Sequence, residues 1–187
     1  MLSINYRKAI FRTSLLLCVL LSIIACTRRT DEELRRAAIK GHTDEVKVLL
    51  SKGANVNYQK GGWTVLMFVA REGHTEIAKA LLENGADPNA KGQDGATALT
   101  ISAEYGQSEI VASLIVKGAN VNAKNNRGST ALMYSAEYGH PQVAKLLIQA
   151  GADVTLKDAD GETAFLIAKR KGHKEIAQLL KNAGAKD

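Results

Sequence analysis

The sequence predicts an all-α repeat solenoid of about five two-helix units behind a cleaved signal peptide, and three observations carry that prediction. The first is a set of glycine ladders. Gly41, Gly73, Gly106, Gly139 and Gly172 are spaced 32, 33, 33 and 33 residues apart, and Gly-Ala pairs at 53, 85, 118, 151 and 184 keep the same intervals. Gly62, Gly95, Gly128 and Gly161 each stand two residues before a threonine: Thr64, Thr97, Thr130 and Thr163. The second is composition. Among 187 residues, 45% are apolar, 24% are charged, and 16 are glycine against two proline, which suits a folded chain with regular turns rather than a disordered linker. The third is an apolar run of 11 residues, Leu15 to Ala25, behind Arg7, Lys8 and Arg12. A membrane-spanning helix takes ~20 residues, so this run reads as the hydrophobic part of an export signal.

Residues 1-25 are therefore assigned to a signal peptide. The run ends Ile23-Ile24-Ala25-Cys26, which resembles the bacterial lipobox. The resemblance implies that the Cys26 thiol receives a diacylglycerol unit, that the chain is cut before it, and that the new amine is acylated. A thiolate is the required nucleophile, and more than one acyl chain is needed for stable anchoring because a single chain binds a membrane only marginally. A non-lipidated signal peptide and an uncleaved signal anchor are the alternative readings. Thr27 follows the cysteine, which by resemblance to lipoproteins of two-membrane bacteria points to the outer membrane, facing the periplasm. Residues 26-30 form the lipidated end and a short tether, Thr27 to Asp31 reaching at most ~18 Å. Removing Arg7, Lys8 and Arg12 from the 25 basic residues leaves 22 against 19 acids, or +3, too little and too scattered for a nucleic-acid interface. Cys18 leaves with the signal, so the mature chain keeps no free thiol once Cys26 is acylated.

The remainder, 31-187, divides into repeats of about 31-59, 60-91, 92-124, 125-157 and 158-187. In the third, Thr97 is a natural N-cap, and Ala98, Leu99, Ile101, Ser102 and Ala103 give a short helix stopped by Gly106. A second helix runs from about Ser108 to Lys117 with Ile110, Val111, Leu114 and Ile115 on its apolar side, closed by Gly118 in the left-handed conformation. Pro141 fits the first turn of the corresponding helix one unit later. No single unit can bury its apolar face, so stacking supplies the core.

The segments GWTVLMFVAREGHTEIAKALLENGADPNA, DGATALTISAEYGQSEIVASLIVKGANVNA and RGSTALMYSAEYGHPQVAKLLIQAGADVTL resemble the ankyrin repeat. The resemblance spans about Asp31 to Ala185 and implies helix-turn-helix units with hairpin-like loops in a curved solenoid. Where that family favours Thr-Pro-Leu-His, this chain has Thr64-Val65-Leu66-Met67, Thr97-Ala98-Leu99-Thr100, Thr130-Ala131-Leu132-Met133 and Thr163-Ala164-Phe165-Leu166. It is expected to lose the histidine's hydrogen bond there and to lean on apolar packing. Glu45, in the place of Ile77, Ile110, Val143 and Ile176, and Lys169, in the place of Ala70, Ala103 and Ala136, mark polar end caps.

No catalytic motif emerges. His42, His74, His140 and His173 each follow a helix-ending glycine, with Gln107 at the one remaining equivalent place, in the third unit, so they read as framework rather than as metal ligands. Asp158, Asp160, Gly161 and Glu162 resemble a calcium loop, but Leu156 and Ile167 would occupy its ligand places. The group Lys169, Arg170, Lys171 and Lys174 reads as a solvated terminal cap. No cofactor or metal is expected.

Positions that vary among the units are free to recognise something. They comprise Tyr58, Trp63, Gln93, Asp94, Asn126, Arg127, Asp160 and Glu162 before each first helix, and Arg71, Glu72, Glu104, Tyr105, Glu137, Tyr138, Arg170 and Lys171 at its end. By resemblance, both sets face a concave partner-binding groove. Tyr105 and Tyr138 occupy the same place in adjacent units and are the candidate anchors, unless they pack on the next repeat instead. The expectation is a monomeric, non-enzymatic, lipid-anchored protein that holds a partner protein at the periplasmic membrane surface as an adaptor or accessory factor. An immunity-type protein that neutralises a periplasmic toxin and a hydrolase with an unrecognised site are the alternatives.

Overall fold

The computed structural model describes residues 29–186, so the apolar run, Cys26 and Thr27 lie outside the described residues. Through them run helices α1 (29–39), α2 (Thr43–Ser51), α3 (Val65–Glu72), α4 (Thr75–Glu83), α5 (Ala98–Glu104), α6 (Ser108–Val116), α7 (Ala131–Tyr138), α8 (Pro141–Gln149), α9 (Ala164–Lys171) and α10 (Lys174–Asn182). Helices α3, α5, α7 and α9 pack in succession as a front row, and α2, α4, α6, α8 and α10 as a rear row. The result is the expected all-α repeat solenoid. One boundary moves: Arg29 and Thr30, assigned above to the tether, are helical, and an i,i+4 pair between Arg29 and Glu33 at 3.1 Å supports that turn.

Each front-row helix begins where its threonine caps it. The N–H groups of Met67, Thr100, Met133 and Leu166 donate to the side-chain oxygens of Thr64, Thr97, Thr130 and Thr163 at 3.2, 3.3, 3.4 and 3.3 Å. The expected loss of a return bond is only partly correct. The Thr97 N–H donates to the Thr100 hydroxyl at 2.8 Å, and the N–H groups of Thr64 and Thr130 donate to the sulfurs of Met67 and Met133 at 3.4 Å. A hydroxyl or thioether three residues on thus replaces the imidazole; Leu166 has no acceptor to offer.

The recurring Gly-His pairs join one unit to the next. His74, His140 and His173 donate from Nε2 to the carbonyls of Ile39, Glu104 and Glu137 in the preceding unit, at 3.1, 2.9 and 3.3 Å. The ring lies over the preceding unit's glycine. A Cβ on Gly106 or Gly139 would come within 2.7 or 2.5 Å of the next imidazole, and one on Gly73 within 2.6 Å of Gln107. At Gly106 and Gly139, whose neighbouring imidazoles are held by hydrogen bonds, glycine is needed for space as well as for its positive φ.

The core lies between the rows. Leu49, Leu81, Leu114, Leu147 and Leu180 are buried at one rear-row register, while Ala70, Ala103 and Ala136 are buried on the front row and let its helices approach closely. Glu45 is exposed where Ile77, Ile110, Val143 and Ile176 are buried, and Lys169 is exposed, its Nζ 5.2 Å from the Phe165 ring centroid. Both end positions therefore face solvent. In the first loop, β1 (Gln59–Lys60) pairs antiparallel with β2 (Trp63–Thr64). The later loops each close by two backbone bonds, such as Gly92 N–H to Ala96 O and Gly95 N–H to Gly92 O, and consecutive loops are tied by Asn126 N–H to Asp94 O and Ala159 N–H to Arg127 O, both 2.9 Å.

Candidate interaction site

A front-row helix of about two turns brings its seventh and eighth positions after the threonine out at one end, beside the loop that precedes that threonine. Three local clusters result. In the second unit, the Trp63 and Phe68 ring centroids are 5.3 Å apart, and the Arg71 guanidinium carbon lies 5.4 and 5.8 Å from them while Arg71 also pairs with Glu72 at 2.7 Å. Arg35 of α1 also approaches this cluster, its guanidinium carbon 5.6 Å from the Phe68 centroid.

The central cluster belongs to the third and fourth units. Tyr105 and Tyr138 are 49% and 51% exposed, which sets them apart from the buried stacking residues. Tyr138 stacks parallel on Tyr134 with centroids 6.4 Å apart, and the Tyr134 hydroxyl accepts from Asn125 Nδ2 at 2.9 Å. Glu104 is half-buried beside the Tyr138 hydroxyl. Burial pushes its carboxyl above the ordinary range and the charge of Asp94 acts in the same direction, while Tyr138 opposes them. Burial followed by the nearby Glu104 charge raises both Tyr134 and Tyr138.

The third cluster is a cleft of about 230 Å³ lined by Arg127, Glu137, Tyr138, Asp160, Glu162 and Arg170, with Ser129, Met133, Tyr134, Asp158 and Ile167 completing its walls. Arg170 pairs with Glu162 at 2.8 Å in its own unit and with Glu137 at 3.3 Å in the preceding one, and Lys171 pairs with Glu137 at 2.5 Å. The terminal basic group is exposed throughout, as a solvated cap would be, and Arg170 and Lys171 within it also pair with carboxylates that line the cleft. The Glu162 hydrogen bond and charge raise Arg170 further above its already high value.

The structure thus joins Trp63 to Arg71 and Glu72, Glu104 to Tyr138, and Arg127, Glu137, Asp160, Glu162 and Arg170 to one cleft. Other assignments move toward framework. Tyr58 is half-buried against the core and donates its hydroxyl to Glu32 at 3.3 Å, and the Asn126 amide is spent on the Gln93 carbonyl at 3.3 Å. Phe68, Tyr134 and Arg35 were not anticipated. Phe68 and Tyr134 share a register with the buried Ile101 and Ile167, which reads as core; the available signal was Tyr134 one turn before Tyr138.

The Asp158 carboxylate accepts the N–H groups of Asp160 and Glu162 at 3.0 and 2.9 Å, as Asn125 Oδ1 accepts those of Arg127 and Ser129 at 2.9 and 3.0 Å. Its role is to shape the turn. Among the described residues no group of three or more His, Cys, Asp or Glu is arranged to hold a metal ion, and no helix is long and apolar enough to cross a membrane. A protein-family model described as ankyrin repeats, 3 copies, matches residues 16–92 and 89–158. A comparison with curated proteins gives no match.

Proposed function

Because the chain belongs to the ankyrin-repeat family, whose members are generally non-catalytic protein-interaction scaffolds, we propose that it is a lipid-anchored adaptor holding a protein partner at the periplasmic face of a bacterial membrane. The partner occupies the concave side, formed by the front-row helix ends and the loops. One observation carries this reading: Tyr105, just after α5, and Tyr138, at the end of α7, hold the same register of adjacent units and keep about half their surface in solvent while the residues of α5 and the rest of α7 are buried or half-buried. Aromatic rings presented this way beside charged residues suit an interface anchor. The anchor to the membrane rests on Ile23-Ile24-Ala25-Cys26 and the apolar run before it.

Two experiments test the halves separately. Partner capture from membranes with the full chain should fail when Tyr105→Ala and Tyr138→Ala are combined. Each truncation is expected to cost ~2 kcal/mol of binding, up to roughly a thousandfold together. A large fall in melting temperature with normal affinity in the folded fraction would assign the rings to the framework and remove the proposed anchor. The captured protein, a resident envelope enzyme or an incoming toxin, separates the accessory role from the immunity role. Cys26→Ser should abolish lipid labelling and leave the precursor uncut, whereas unchanged labelling and mature size would refute the anchor.

A further inference from the structure

The glutamates of this face are not equivalent. Glu32 is met by Arg35 and Lys60 at 2.7 and 2.9 Å, Glu72 by Arg71 at 2.7 Å, Glu137 by Arg170 and Lys171, and Glu162 by Arg170 at 2.8 Å. Among the described residues Glu104 pairs with no lysine or arginine, although it is half-buried; Asp94, whose charge it feels, pairs with none either.

Repeat geometry explains why. The seventh position after each capping threonine is Arg71, Glu104, Glu137 and Arg170 in turn. Arg170 reaches back one unit to Glu137, but the unit after Glu104 offers Glu137 itself, an acid. On its other side stands Arg71, which is drawn toward Glu72 and the Trp63 and Phe68 rings. Glu104 is thus left with the Tyr138 hydroxyl and a second carboxylate, and burial raises its carboxyl because no neighbouring cation supports the charge.

Around it lie half-exposed aromatic side chains. Tyr105 follows Glu104 directly in sequence, and the Tyr138 hydroxyl lies near it from the next unit, one face of that ring being stacked on Tyr134. A carboxylate without an internal cation, bordered by two half-exposed tyrosines, is complementary to a guanidinium, which forms paired hydrogen bonds with the carboxylate while its flat faces stack on rings. Building on the adaptor reading, we infer that the central groove takes an arginine side chain from a basic segment of the partner protein, paired with Glu104 beside the half-exposed Tyr105 and Tyr138. Asp94 adds attraction at the loop side and suits further positive charge in the same segment.

The test uses the full chain in detergent with two synthetic probes, acetyl-Gly-Gly-Arg-Gly-Gly-amide and its citrulline counterpart, which keeps the shape and loses the charge. The arginine peptide should shift the Tyr105 and Tyr138 ring resonances saturably, more weakly as salt rises, and the citrulline peptide should not. Glu104→Gln should weaken the arginine peptide by roughly tenfold, as expected for loss of a charged hydrogen-bond partner. The peptide comparison is made on the unsubstituted chain, so it stands even if Glu104→Gln disturbs the fold. Equal binding of the two peptides, absence of a saturable shift, or unchanged affinity in Glu104→Gln would overturn the inference. A membrane partner lost with the paired tyrosine substitutions but indifferent to Glu104→Gln would also overturn it while leaving the adaptor reading intact. Arginine-peptide binding without any tyrosine-dependent membrane partner would support this site and sink the adaptor reading.

Discussion

Glu32 joins α1 to the first hairpin through a single carboxylate. It accepts from Arg35 at 2.7 Å, from Lys60 at 2.9 Å and from the Tyr58 hydroxyl at 3.3 Å, with only 18% of its side chain exposed. The Arg35 hydrogen bond, with help from Lys60, holds its carboxyl well below the ordinary range despite the opposing effect of burial. A depressed folded pKa means stability that is fully present above the unfolded value, near ~4.3, and lost as pH falls through the folded one. Glu32→Gln should therefore cost about 1 kcal/mol at neutral pH and progressively less in acid. Melting curves of both proteins at pH 7 and in strong acid check this, and an equal penalty at both would show that the ion pairs contribute nothing. Glu104 has the opposite sign. Its raised carboxyl makes ionisation a cost to the folded chain, and that cost is absent in acid and sets in as pH rises through the ordinary carboxylate range.

Helix ends were readable in the sequence because they are local. Thr97 caps α5 through a bond to the N–H of Thr100, three residues on, and Pro141 sits in the first turn of α8 where its missing N–H is harmless. Contacts between elements were readable only as coincidence of register. The spacing of Gly106 and His140 announces a repeat, but nothing in it says that the ring covers the glycine and bonds the Glu104 carbonyl. Tyr134 stayed hidden for a related reason: its register is core in α5, where Ile101 is buried, but half-buried in α7, where the ring meets Asn125 and Tyr138. The pairing of Arg170 with Glu137 is legible once stacking places positions 33 apart side by side, as it does not follow from charge pattern along the chain. Sulfur acceptors at Met67 and Met133 were missed because methionine reads as apolar filler.

At the scale of the whole molecule, stability is shared along one axis, since each unit buries its apolar surface mainly against its neighbours. Leu114 in α6 and Leu180 in α10 hold the same register and are both 0% exposed, so the local chemistry of replacing either is alike. Their positions in the array are not. Leu114→Asp puts an unpaired charge into the central unit at a cost of about 3 kcal/mol or more, and it leaves two flanking pieces of two units each, below the three or so that a stable array takes. Leu180→Asp leaves four consecutive units stacked and should fray only the last. Helical circular dichroism and melting should therefore show general unfolding for the central variant. For the terminal one they should show a small loss of helix with a modestly lowered midpoint. Equal damage from both would mean that the five units unfold as one globular body. An unshifted midpoint for Leu114→Asp would remove the stacking core from the account altogether.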